Sequence, residues 1–270
     1  MEEIRAYGKI NLTLDVLRKR DDGYHDLCSI MHCINLYDTL TIEPYDGILV
    51  ECEKPLPDDS ATYRAARAYM ALTGRGARIR INKYIPDEAG MGAASANAAA
   101  ALAGMDRLYH ALSRERLYKL GSMVGADVPF CMMQGCALAE GIGDMLAPLP
   151  QIPLNLLIVK ANGGISTKAL FESLSLPTAH PDTVAAIRAV KAGDARALAA
   201  CMFNALEEAA TQARPEIASV KRRLLELGAW GAAMTGSGSA VVGVFPTLEE
   251  ARELRKEFTD CCFTCACSTL

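Results

Sequence analysis

Apolar and polar residues alternate strictly from Ile10 to Val16, inside the run Ile4-Arg5-Ala6-Tyr7-Gly8-Lys9-Ile10-Asn11-Leu12-Thr13-Leu14-Asp15-Val16-Leu17, and this predicts a half-buried strand. Further short strands are expected near Cys28 to Asn35, Thr39 to Glu43 and Ile48 to Cys52, and another over Ala77 to Lys83. Elsewhere the period changes to that of a helix. From Ser60 to Leu72 the apolar residues recur every three or four positions and stop before Gly74. An alanine-rich helix beginning near Ser95 reaches about Leu112, and Ser113 is placed to cap another that ends near Val124.

Small residues and glycines from Gly135 to Gly143 read as a strand and a loop, after which Pro148, Pro150 and Pro153 cluster. That cluster marks a boundary, giving lobes 1–153 and 154–270. The second part predicts a buried strand over Leu154 to Val159, a helix containing Phe171, and helices near 182–191, 194–212 and 215–227, the last opened by Pro215. Two strand-like runs between Ala232 and Phe245 are joined by a glycine-serine turn. An amphipathic helix over Glu249 to Phe258 and a cysteine-bearing strand follow, and no internal repeat is visible.

With 270 residues the chain can bury a substantial core, and two lobes of ordinary size are expected. A net charge of −4 argues against broad contact with nucleic acid or an anionic membrane, so a small-molecule partner fits better. Neither a basic-apolar leader nor an apolar run of about 18 residues is present, and the expected location is the cytoplasm. The ten cysteines lack the paired C-x-x-C spacing of a zinc site, which points to reduced thiols that mostly fill the core. Cys265 and Cys267 share a strand face and could chelate a soft metal, but no histidine lies nearby to complete a ligand set.

Several segments carry candidate chemistry, each beside a plainer reading. In Pro86 to Leu102, Gly90 and Gly92 permit a sharp turn before the alanine-rich helix, whose unpaired amides and dipole would suit a phosphate. A tight strand-to-helix connection explains the same glycines. Neither a Walker loop nor the three-glycine dinucleotide spacing is present. Lys9 and Asn11, two apart on a strand, project to one face, either toward a common ligand or into solvent. The turn Asp21-Asp22-Gly23 presents Tyr24 and His25, which together can stack on and hydrogen-bond a flat heterocycle, or stand as a structural tyrosine and a surface histidine. Asp127, between Gly125-Ala126 and Val128-Pro129, is a carboxylate near apolar surface that wants a cation, or else an ordinary turn aspartate capping an amide. In Thr235-Gly236-Ser237-Gly238-Ser239 the alternate hydroxyls suit a phosphate or sugar, while a hairpin accounts for the glycines.

Taken in order, these segments resemble the GHMP kinase superfamily and, within it, the 4-diphosphocytidyl-2-C-methyl-D-erythritol kinases of non-mevalonate isoprenoid biosynthesis. The resemblance runs from about Arg5 to the C-terminus; Lys9-Ile10-Asn11, Asp22-Gly23-Tyr24-His25 and the Gly-Ala-Asp-Val-Pro segment are its specific part. It implies an α+β, two-lobed fold, with an N-terminal mixed α/β lobe, C-terminal helices on an antiparallel sheet, and an active site in the cleft between. It also implies phosphorylation of the acceptor's 2-hydroxyl by ATP with Mg²⁺. Asp127 matches the catalytic aspartate and Lys9 the lysine beside it. Lys83, Pro86, Gly90, Met91, Gly92, Ala93, Ala94, Ser95 and Ser60 fall on the nucleotide side. Tyr24, His25 and Phe171 match the residues around the cytosine, with Phe171 on the opposite side of the ring; Asn11, Thr167 and Gly236 would contact the acceptor. The implied partner is a small molecule with a cytidine diphosphate moiety, met by a monomer or homodimer, with no nucleic acid and no membrane.

The chain departs from the family pattern where Ala93, Ala94 and Ala96 replace two glycines and a serine, where Tyr7-Gly8 replaces Pro-Ala, and where Ser60 replaces an asparagine. An alanine forced to positive φ would cost on the order of 1 kcal/mol. Two other readings stand beside the main one: a GHMP kinase of the mevalonate or homoserine type, and a catalytically weakened nucleotide-binding protein.

Overall fold

The computed structural model describes residues 1–174 and 180–270. The chain opens with strands β1 (Glu2–Lys19), β2 (His25–Pro44) and β3 (Ile48–Cys52), helix α1 (Ala61–Thr73) and strand β4 (Ala77–Asn82). Helices α2 (Ala93–Tyr109), α3 (Arg114–Val124) and α4 (Val128–Met133) follow, then β5 (Cys136–Gly141), β6 (Met145–Leu149) and β7 (Asn155–Lys160). Next come α5 (Thr167–Ser173), α6 (Thr183–Ala192), α7 (Ala195–Ala200), β8 (Phe203–Asn204), α8 (Glu207–Ala213) and α9 (Glu216–Glu226). Strands β9 (Gly231–Met234) and β10 (Ala240–Phe245), helix α10 (Leu248–Glu253), a 3₁₀ turn (Leu254–Phe258) and β11 (Phe263–Ser268) complete it.

Two expectations are corrected. The strands expected over 28–35 and 39–43 are one 20-residue strand, β2. The single helix expected over 194–212 is two, α7 and α8, separated by β8. That last break has a cause: Phe203 and Asn204 pair in parallel with Thr13 and Leu14 of β1, and a helix cannot supply those bonds.

Packing divides the described chain into two compact units. The first holds Met1–Gly8, Leu36–Ile85 and Gly92–Gln134, and the second Lys9–Asn35, Pro86–Met91 and Gly135–Leu270. This is not the division at 153/154 that the prolines mark, because β1 and β2 are long enough to place one end of each in the first unit and the other in the second.

In the first unit the strand order is β3-β4-β2-β1, with Ile79 of β4 opposite Ile42 and Val50. Leu40, Ile42, Ile79 and Ile81 from the strands meet Tyr69, Leu102 and Leu120 from the helices in one apolar core. Within the second unit one sheet runs β6-β5-β2-β1-β8, and the other is antiparallel in the order β11-β7-β10-β9. Leu157, Val159 and Val241 of that antiparallel sheet pack under Val220 and Leu224 of α9.

His32, on β2 in the second unit, is fully buried. Its Nδ1 lies 2.8 Å from the Cys33 carbonyl, and its Nε2 accepts from the Ile152 amide at 3.3 Å, so the neutral ring carries its proton on Nδ1. Burial pushes its pKa below the ordinary 6.5, although the Cys33 bond opposes the shift. A folded-state pKa below the unfolded value means that the unfolded chain binds more protons on acidification. Stability is therefore full above about pH 6.5 and falls as the pH drops through that value. His25, lowered by burial and then by Lys19, acts in the same direction. Denaturant midpoints measured from about pH 7.5 down to pH 5 should decline, and a flat profile would contradict this account.

Candidate active site

The polar positions of β1 do not face solvent. Lys9, Asn11, Thr13 and Asp15 are no more than 5% exposed, while Ile10, Leu12, Leu14 and Val16 fill the other face. Buried polar groups are tolerated only when bonded. Lys9 Nζ donates to Asn11 Oδ1 at 2.7 Å, Asn11 Nδ2 to Ser29 Oγ at 2.7 Å, and Ser29 Oγ to the Thr13 carbonyl at 2.6 Å. The Asn11 amide donates to Thr235 Oγ1 at 2.9 Å. The spacing of Lys9 and Asn11 thus joins an ammonium and an amide on one strand face, and the plain reading of a solvated face does not hold. Ser29, which fixes the rotamer of Asn11, was not singled out from the sequence. Its place in the mixed run Cys28 to Asn35 carries no signal until β2 is paired with β1.

The loop Pro86–Met91, also in the second unit, lies on the turn after β9. The Lys9 amide donates to the Met91 carbonyl at 3.0 Å, and the amides of Ser239 and Ala240 donate to the carbonyls of Glu88 and Ala89 at 3.1 and 3.4 Å. Gly90 has φ 73°, and a Cβ there would sit 1.9 Å from the Thr235 carbonyl oxygen; one on Gly236 would sit 2.6 Å from the Gly90 carbonyl oxygen. The two glycines are thus required for backbone to lie on backbone. Asn204 Nδ2 donates to the carbonyls of Met234 and Gly236 at 2.7 and 2.8 Å, which holds the turn from beneath. Met91 is buried.

Around this framework stand the remaining second-unit candidates. Thr167 Oγ1 and Ser237 Oγ are 2.7 Å apart, which joins the start of α5 to the same turn. The rings of His25 and Phe171 are 5.1 Å apart and tilted by 32°. Tyr24, at 61% exposed, leaves its ring open to solvent. Burial of His25, and after it the charge on Lys19, lowers the imidazole pKa and favours the neutral ring.

In the first unit, α2 begins at Ala93, two residues earlier than Ser95. Gly92 is its N-cap at φ 68°, with no side-chain capping bond and no acidic residue in the first turn. The amides of Ala93, Ala94 and Ser95 at the head of this 17-residue helix therefore suit the phosphate chain of a nucleotide. Ala93 and Ala94 are helical rather than at positive φ, so they carry no strain. Changing both to glycine should accordingly lower stability by roughly 0.5–1 kcal/mol per site and should not tighten ATP binding through relief of strain. Paired melting and ATP titration of the double variant test this, and tighter binding at unchanged stability would refute it.

Ser60 is the N-cap of α1 and accepts from the Tyr63 amide at 3.5 Å. Lys83 Nζ lies 3.9 Å from Asp38 Oδ2. Asp38 is fully buried and was missed from the sequence; it accepts from the amides of Tyr84 and Ile85 at 2.7 and 2.8 Å and from Asn97 Nδ2 at 2.9 Å. It ties the segment after β4 to α2. Asp127 is half-buried at the N-cap of α4, and its side chain makes no capping bond to that helix.

Among the described residues no group of three or more His, Cys, Asp or Glu side chains is placed to hold a metal ion. No helix among them is long and apolar enough to cross a membrane.

Comparison with known proteins adds three findings. The family models for the GHMP kinases N terminal domain and GHMP kinases C terminal match residues 60–135 and 186–263. The 4-diphosphocytidyl-2-C-methyl-D-erythritol kinase of Pelotomaculum thermopropionicum is 42% identical over 265 residues, covering 94% of this chain and 92% of its own. That of Carboxydothermus hydrogenoformans is 40% identical over 266 residues, covering 95% and 92%. Among solved structures, a 4-(cytidine 5'-diphospho)-2C-methyl-D-erythritol kinase superposes with a TM-score of 0.87 at 30% identity, over 99% of each chain. A homoserine kinase from Cytophaga hutchinsonii superposes with a TM-score of 0.73 at 17% identity, over 100% of this chain and 96% of its own, a likeness of fold alone.

Proposed function

The chain belongs to the GHMP kinase family, and from that premise we propose that it transfers the γ-phosphoryl group of ATP to the 2-hydroxyl of 4-diphosphocytidyl-2-C-methyl-D-erythritol. The observation that carries the acceptor assignment is the ring pair of His25 and Phe171, 5.1 Å apart, with the open ring of Tyr24 next in sequence to His25. Mevalonate and homoserine have no base for such rings to meet.

A separation of 5.1 Å leaves no room for a base between His25 and Phe171. In our reading the cytosine lies between Phe171 and Tyr24, and His25 meets its edge. A neutral imidazole offers one N–H donor and one acceptor, which suits the mixed edge of a pyrimidine. Asn11, Thr167 and Gly236 are assigned to the rest of the acceptor.

Asp127 is assigned as the base that takes the hydroxyl proton, and Lys9 as the cation that steadies the attacking oxygen. Lys9 arrives oriented, because its ammonium donates to Asn11, whose side chain is in turn held by Ser29. The first-turn amides of α2, with Gly90, Met91, Gly92, Ala93, Ala94 and Ser95, are assigned to the phosphates, and Ser60, Lys83 and Pro86 to the rest of the nucleotide. Mg²⁺ would neutralise charge on those phosphates. The ten free thiols support a cytoplasmic location. A monomer or homodimer acting on small molecules, without nucleic acid or membrane, completes the proposal.

The test is to incubate the protein with Mg·ATP and, separately, the cytidyl methylerythritol, mevalonate and homoserine. ADP release with the first alone is the expected result, and release with either of the others alone would overturn the assignment. His25→Ala and Tyr24→Ala should each weaken CMP or CDP binding by about tenfold or more and leave the KM for ATP unchanged. Unchanged cytidine nucleotide affinity in both variants would remove these residues from base recognition.

A further inference from the structure

A cavity of about 600 Å³ opens on the first unit, lined by residues of β1, α2, α3 and α4. None of the residues assigned to nucleotide or acceptor lines it. One wall is the α2 face formed by Ala96, Ala99, Ala100 and Ala103, which recur at helical spacing and present only methyl groups. Leu117 and Met132 extend the apolar surface.

Three guanidiniums line the same cavity, Arg5 from β1, Arg107 from α2 and Arg114 from α3, against a single carboxylate, Glu3. Among the described residues none of the three is in an ion pair. Aromatic rings position two of them instead. Arg5 lies 4.7 Å over the Tyr37 ring, and Arg114 lies 5.6 Å over the Tyr118 ring. Tyr37 is itself braced edge-on by Tyr7 at 5.2 Å. On a chain with a net charge of −4, three cations gathered without matching carboxylates form a local positive field that an anion would relieve.

Guanidiniums match phosphate oxygens in a planar fork, while the alanine wall offers a phosphate nothing. The volume lies in the range of small-molecule sites. We propose that this cavity binds an amphipathic phosphate ester, an organic phosphate or diphosphate whose body is a compact hydrocarbon or aromatic group. The anionic head meets Arg5, Arg107 and Arg114, and the body lies on the α2 alanines. Helix α2 starts directly after Gly92, and α4 starts directly after Asp127, so the cavity is lined by the two helices that carry those residues at their heads.

The test uses the full chain saturated with Mg·ATP, titrated calorimetrically with n-octyl phosphate, phenyl phosphate, inorganic phosphate and n-octanol. One saturable site for an organic phosphate is expected, with inorganic phosphate and octanol at least about tenfold weaker. Arg107→Gln and Arg114→Gln, both exposed positions, should each weaken binding about tenfold and leave melting unchanged. Ala100→Leu fills the wall and should weaken the octyl ester, whereas inorganic phosphate should respond little. The proposal is overturned if no organic phosphate saturates, if inorganic phosphate binds as well as its esters, if ATP displaces the ester, or if the arginine variants bind like the parent. None of these outcomes depends on which acceptor the enzyme phosphorylates.

Discussion

Asp127→Asn should lower turnover by about 10²–10⁴-fold while ATP and CDP bind nearly as before. An amide has the size of the carboxylate but cannot accept the hydroxyl proton. The Asp127 side chain does not cap α4, so the substitution removes no helix-capping bond. Lys9→Met should also reduce kcat far more than it raises KM, since its ammonium acts on charge that develops during transfer. Steady-state kinetics with calorimetry of both nucleotides checks the pair. Full residual turnover in Asp127→Asn would remove this residue from the chemistry.

Gly90→Ala is expected to have the second large effect, and on a different quantity. Its left-handed backbone at φ 73° costs an alanine roughly 1–2 kcal/mol by itself. The added methyl would also sit 1.9 Å from the Thr235 carbonyl oxygen, a backbone atom that cannot turn aside. The loop must therefore lift from the turn, which breaks the bonds from Ser239 and Ala240 and shifts the carbonyl that receives the Lys9 amide. Melting temperature and kcat should fall together. A variant that melts and turns over like the parent would mean that the Pro86–Met91 loop is not docked on Thr235–Gly238 in solution.

By itself the sequence determined what local pattern and turn chemistry determine. Ser113 caps α3, Ile48–Cys52 is a strand, and the glycine-serine segment joins two strands, because the cap, the strand-forming residues and the turn residues are each legible in a short local window. The order of segments from Lys9 to Ser239 was enough to point to the family. Tertiary structure decided the rest. Alternation in β1 predicted a half-buried strand, yet its polar face is also buried, since Ser29 and Thr235 supply partners from 18 and 224 residues away. The helical period of 194–212 was interrupted by pairing with β1, a contact that no local window contains. Gly90 and Gly236 read as ligand-side flexibility, but what fixes them is the carbonyl each faces across a gap of 145 residues or more in the chain. Asp38 fell between two expected strands, near Cys28 to Asn35 and Thr39 to Glu43; only folding brought Tyr84, Ile85 and Asn97 to its two oxygens. Local sequence sets propensity and cap, whereas burial and the partners of a polar group are properties of chain segments brought together, and these the tertiary structure alone could assign.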